Sequence, residues 1–187
     1  AACVETVVNH ASEQTLVDLL AALVAQRGKL LPFASSNRFT ELRARLNAKL
    51  CITDADDPDT IRSDFVRDAD WRELGDVAEQ LREVGGSING DQAAAIEAAR
   101  TASTDEGRFE LSANFLLKAD GEPKSEIRLL TKKCADQYPD ALTLLLDIQS
   151  TYIAANNRIK ALSVRDATEA IVAVALLAVI YFAPTWW

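Results

Sequence analysis

Residues 170–187 read AIVAVALLAVIYFAPTWW, and how that stretch is read decides what the rest of the chain can be. It carries no charged side chain from Ala170 to Trp187. Wound as a helix, its eighteen residues rise about 27 Å, close to the ~30 Å hydrocarbon core of a bilayer. Ile171, Val174, Leu177 and Val179 are typical of its branched apolar residues, each favouring insertion by roughly 0.3–0.6 kcal/mol near a helix centre. Tyr181, Trp186 and Trp187 gather at one end, where amphipathic rings prefer the headgroup level. Pro184 falls after the apolar run, so it stops a helix at little cost. The same run could also form the buried central helix of a soluble domain. Such a helix usually keeps one polar edge, and this one is apolar on every face. The expectation is a single C-terminal transmembrane anchor over 164–187, with Ala173, Ala175 and Ala178 as small positions that let partner helices approach. Arg158, Lys160 and Arg165 flank it on the N-terminal side, which places the preceding domain on the stroma, matrix or cytosol side.

Working back from the anchor, no Gly or Pro occurs between Pro139 and Ala183, so one helix of about 67 Å can run through. Its lower seam reads Leu142, Leu145, Gln149, Tyr152, Asn156, Ile159. Two amides in an apolar seam need polar partners, and buried Gln and Asn commonly pin the register of a bundle. The other use for them is ligation, so Gln149, Asn156 and His10 are the candidate ligands for a pigment such as chlorophyll or a carotenoid, or for an interfacial lipid.

The remaining segments also read as helices. Leu16, Leu19, Leu20, Leu23 and Val24 form a stripe ending at Gly28. Phe39, Leu42, Leu46 and Leu50 form a second stripe, whose opposite face carries Arg38, Arg43, Arg45 and Lys49. That basic face is a candidate contact for an acidic neighbour or for lipid headgroups. Asp57 as N-cap and Pro58 at the first helical position open a helix carrying Trp71, Leu74, Ala78 and Leu81 and stopping at Gly85-Gly86. Ser87 to Gly90 reads as a turn, Asp91 to Thr101 as an alanine-rich helix, and Ser103-x-x-Glu106 as a capping box. Asp120-Gly121-Glu122-Pro123 is a turn before a helix through Ile127, Leu129, Leu130 and Cys134. No strand-like alternation exceeds four residues. The fold class expected is all-α: a helical bundle of five to six helices, a soluble domain over 1–163, continued by the transmembrane helix.

Catalytic chemistry has little to work with. His10 is the one histidine, so it would have to serve every Ser-His-Asp, Cys-His or His-ligated zinc device. A di-metal bundle site needs two Glu-x-x-His motifs. Residues 54–60 (DADDPDT) lack the Gly and distal Glu of a calcium loop. Gly85, Gly86 and Gly90 are followed by no Lys-Ser/Thr, so they make no phosphate cradle. Cys3, Cys51 and Cys134 are widely spaced and fit no zinc or redox motif. The net charge of −8 disfavours nucleic acid, because phosphate neutralisation needs a basic face.

Methionine is absent and the chain opens Ala1-Ala2-Cys3, the expectation being a mature form whose targeting peptide has been removed. The function expected is that of a non-catalytic accessory subunit of a large organellar membrane protein complex, stabilising or bridging its neighbours. Acidity favours the thylakoid, and hence a photosystem, over the mitochondrial inner membrane with its respiratory and ATP synthase complexes. A tail-anchored binding module is the alternative.

Overall fold

The structure, a computed structural model, describes residues 36–182 together with 17, 18, 21, 22 and 25; of 36–38, 175 and 178–182 the backbone alone is described. The leucine stripe ending at Gly28 lies largely outside the described residues, as do His10, Trp186 and Trp187. Among the described residues the named elements are all helices: α1 (Ser36–Leu50), α2 (Pro58–Asp68), α3 (Trp71–Val84), α4 (Ser87–Thr101), α5 (Asp105–Leu116), α6 (Glu126–Leu129), α7 (Lys132–Gln137) and α8 (Pro139–Phe182). No strand occurs among them, and the extended backbone closest to one is a single antiparallel bridge between Leu117 and Pro123. The all-helical expectation is met.

The chain divides into two compact units, one of residues 57–159 and one of residues 1–56 with 160–187. This partition differs from a break at residue 163. It cuts α8, whose first part serves the 57–159 unit and whose later part serves the other.

In the 57–159 unit, α3 packs on α4 and α7, α4 on α5, and α5 on α2. Leu74, Ala78 and Leu81 of α3 present a fully buried stripe at helical spacing, matched by Ala93, Ile96 and Ala99 of α4. Phe115, Leu116, Leu129, Leu130, Cys134 and Leu145 complete that core, each at most 1% exposed. At its other end Phe65 sits edge-on to Phe109 and Tyr152, with ring centroids 5.3 and 5.5 Å away, while Phe109 and Tyr152 stack at 4.7 Å. Both geometries suit the aromatic quadrupole. Trp71 closes the cluster, its indole N–H donating to Val66 O at 2.7 Å and its face covered by Arg108 at 5.8 Å.

Local chemistry explains the helix boundaries. Asp57 has extended backbone, its carboxylate accepts from Thr60 N, and Pro58 follows at the first helical position, as expected. The helix expected to run on from Pro58 is instead broken at Ala69. There Asp70 starts α3 afresh, its side chain accepting from Arg72 N (3.1 Å) and Glu73 N (2.9 Å). Residues 87–90 are helix rather than turn. Asn89, buried and donating to Gly85 O at 2.9 Å, ties the first turn of α4 to the preceding chain. The N-cap of α5 is Thr104, one residue past Ser103, with Gly107 N donating to its hydroxyl at 3.0 Å. After Lys124 the chain forms two short helices, α6 and α7, where one was expected. These breaks give eight named helices over residues 36–182, where five or six were expected for the chain.

The other unit is held by long-range polar contacts. Arg43 of α1 donates from Nε to one oxygen of Glu169 (2.7 Å) and from Nη2 to the other (2.5 Å). Arg165, one turn earlier on α8, donates to Thr53 O at 3.3 Å. Leu162 and Ala170 are buried there, together with Ile52 and Asn47.

The expected transmembrane anchor is corrected here: among the described residues no helix is long and apolar enough to cross a membrane. α8 is 44 residues long, but Glu169 and Asp166 stand at the foot of its apolar run. From Ala170 to Phe182 the uncharged described helix is thirteen residues, or about 20 Å, well short of the ~30 Å a bilayer core requires. Of the residues expected to face lipid, Ile171 and Val174 are half-buried and Leu177 is exposed. The side chains of Val179 and Tyr181 lie outside the described set.

Candidate functional site

Among the described residues, the most heavily built polar feature surrounds the last turn of α5. A helix leaves its last four carbonyls without intrahelical donors, and buried carbonyls must find others. Here each of the four is supplied. Ala113 O accepts from Leu117 N at 2.8 Å, and Asn114 O from the Lys124 ammonium at 2.8 Å. Phe115 O accepts from Gln92 Nε2 at 2.6 Å. Leu116 O accepts from Gln149 Nε2 at 2.7 Å and from Lys124 N at 3.0 Å. The amide oxygen of Gln92 takes a bond from Lys124 Nζ at 2.9 Å, and Gln149 Nε2 also reaches Lys124 O at 3.0 Å. Two glutamines and a lysine from three separate segments thus finish one helix. A cation at the negative helix end is favourable in its own right.

Lys124 reaches this position because the chain after α5 folds back as a hairpin. Lys118 N donates to Glu122 O (2.8 Å) and Gly121 N to Lys118 O (3.0 Å), while the Asp120 carboxylate accepts from Glu122 N at 3.0 Å. Gly121 has φ +84°, a left-handed conformation in which a side chain would be strained. Burial pushes the Lys124 ammonium below its ordinary pKa, and the nearby positive charge of Arg128 adds to the shift.

Between α5, the hairpin and α6 lies an open groove of about 800 Å³. Asn114, Leu117, Lys118, Lys124, Ser125 and Arg128 form most of its wall. A smaller cavity of about 210 Å³ is lined by Phe65, Leu144 and Ile148 together with Asp68, Asp70 and Asp147. Among the described residues no group of three His, Cys, Asp or Glu side chains is arranged to hold a metal ion.

The residues singled out from sequence are scattered. Gln149 is buried and spends both amide hydrogens on carbonyls, so its free chemistry is confined to the amide oxygen. Asn156 is half-buried, two turns along the helix. In the basic face of α1, Arg43 is committed to Glu169 and Arg45 to Glu41, four residues earlier. Lys49 is exposed, and the Arg38 side chain lies outside the described residues. Ala173 is half-buried; Ala175 and Ala178 are described by backbone alone. Gln92 and Lys124 were not found from sequence. The one signal for Gln92 is a long amide at the head of the alanine run of α4, next to Asp91. Lys124 carries none, since its role depends on the hairpin.

Compared with known proteins, the chain matches no family model, no curated protein and no solved structure.

Proposed function

We propose that this chain is a non-catalytic accessory subunit that acts by contact within a larger organellar membrane assembly, a thylakoid complex in preference to a mitochondrial one. The observation that supports it is α8 beyond Glu169. That segment is helical and uncharged through Phe182, and Leu177 is 59% exposed on it. Amphipathic or apolar helices of this length bind by laying their side chains into a groove between partner helices. The alanines beside Leu177 in sequence let such helices approach closely. A run of about 20 Å engages partner helices or the interfacial layer without crossing the bilayer. The acidic balance of the chain is the support for the thylakoid.

The test is recovery of an affinity-tagged full chain from its source cells on a native gel. The expected result is co-migration with a large membrane assembly. Burying one leucine is worth about 1.5–3 kcal/mol, so Leu177→Asp should cut recovery about tenfold or more. Leu177 is exposed, so the variant should keep its helical signal and melting temperature. Migration of the tagged chain alone, or equal recovery of the variant, refutes the proposal.

A further inference from the structure

We propose that the groove between α5, the 117–124 hairpin and α6 is a binding site for a small organic oxyanion, a phosphate or carboxylate carried on a compact apolar body. Its volume of about 800 Å³ falls within the range of small-molecule sites.

The charge arrangement selects the ligand class. Lys118, Lys124 and Arg128 all line the groove, and no carboxylate does. This is notable in a chain with 28 acidic and 20 basic residues. Asp120, Glu122 and Glu126 belong to the same stretch of sequence, yet none of them is part of the wall. Five arginines elsewhere are neutralised directly: Arg43, Arg62, Arg67, Arg100 and Arg165 each meet a carboxylate at 3.1 Å or closer. Lys124 is held by two neutral acceptors, Gln92 Oε1 and Asn114 O. An ammonium has three hydrogens, so one remains for a ligand. Like charges gathered without a counter-ion cost free energy; burial is the main reason the Lys124 ammonium is less basic than usual, and the positive charge of Arg128 adds to it. An oxyanion relieves the repulsion, taking a forked contact from the guanidinium and point contacts from the lysines.

Two further features fit. The carbonyls at the end of α5 would repel an anion if bare, but side-chain donors cover those of Asn114, Phe115 and Leu116. Ala113, Leu117 and Ala119 supply an apolar wall, so the anion's carrier has a place to rest.

The experiment titrates the full chain, labelled with ¹⁵N, with phenyl phosphate, benzoate, inorganic phosphate and phenol, following amide shifts. Saturable shifts confined to residues 113–128 with phenyl phosphate or benzoate are expected, and whichever binds tighter names the natural anion. Inorganic phosphate should bind the same residues more weakly, lacking the apolar body, and phenol should not bind. Lys118→Glu and Arg128→Glu should each weaken binding about tenfold or more, with other resonances unmoved because both side chains are exposed. Raising the salt from 20 to 300 mM should weaken it further. Absence of saturable shifts, phenol binding equal to phenyl phosphate, or undiminished binding by both variants overturns the proposal.

Discussion

Gln92 and Gln149 perform one task from opposite directions, and their energies should differ. Phe115 O has Gln92 as its side-chain donor, and Gln92 also accepts from Lys124. Leu116 O keeps the Lys124 backbone N–H when Gln149 is removed, and the Lys124 O that Gln149 also supplies is only part-buried. Stranding a buried carbonyl costs about 1–3 kcal/mol. Urea denaturation should therefore place Gln92→Leu near the top of that range and Gln149→Leu near the bottom; the reverse order would show that the network is apportioned differently. Gln149 was legible in the sequence because it interrupts a leucine seam, which demands a partner. Gln92 was not, because an amide among alanines reads equally well as solvated surface. At Asp57, bonds from the Thr60 N–H and hydroxyl hold the carboxyl below its usual 3.8. The stabilisation it brings is fully present above that value and lost as pH falls further. Melting curves between pH 5 and 2 should fall less steeply for Asp57→Asn, which still caps but does not titrate.

The helices themselves were largely readable, and their junctions were not. Pro139 marked the start of α8 correctly because proline suits a first helical position. Gly85, Gly86 and Gly90 look alike in sequence, yet Gly85 and Gly86 adopt φ of +74° and +92° while Gly90 lies within α4. Only tertiary context separates them. Nothing lies within 4 Å of a β-carbon built on Gly90, so Gly90→Ala should stabilise the protein by up to about 1 kcal/mol. The same change at Gly85 or Gly86 should destabilise it. The break at Ala69 was hidden for a related reason: Asp70 among Asp64, Asp68 and Asp76 reads as one more charge on a helix face. Asp70→Ala removes the acceptor for two backbone donors and should cost about 1 kcal/mol, measured by thermal unfolding.

At the scale of the whole molecule, the helical spacing of apolar residues and the lack of strand-like alternation led to the right class, and hydropathy alone overstated the last helix. The apolar run was real, but Glu169 beneath it is spent on Arg43, a pairing across 126 residues that no local pattern discloses. That pair should respond asymmetrically. Arg43→Ala strands a carboxylate whose residue is 8% exposed, at a cost of about 1–3 kcal/mol, whereas Glu169→Ala leaves a guanidinium that water can reach. Hydrogen exchange over residues 160–174 should therefore rise more in the arginine variant, and equal exchange would show the pair to be incidental.

The way α5 is finished has a kinetic consequence. Its final carbonyls take donors from 23 residues upstream and 33 residues downstream, so two chain closures must precede its completion. Refolding should show backbone helicity forming ahead of protection at the Lys124 amide. Chevron plots should find Gln92→Leu and Gln149→Leu accelerating unfolding while barely slowing the return. A protein whose named elements, among the described residues, are all helices would then commit to its native state with the delay usually associated with sheets.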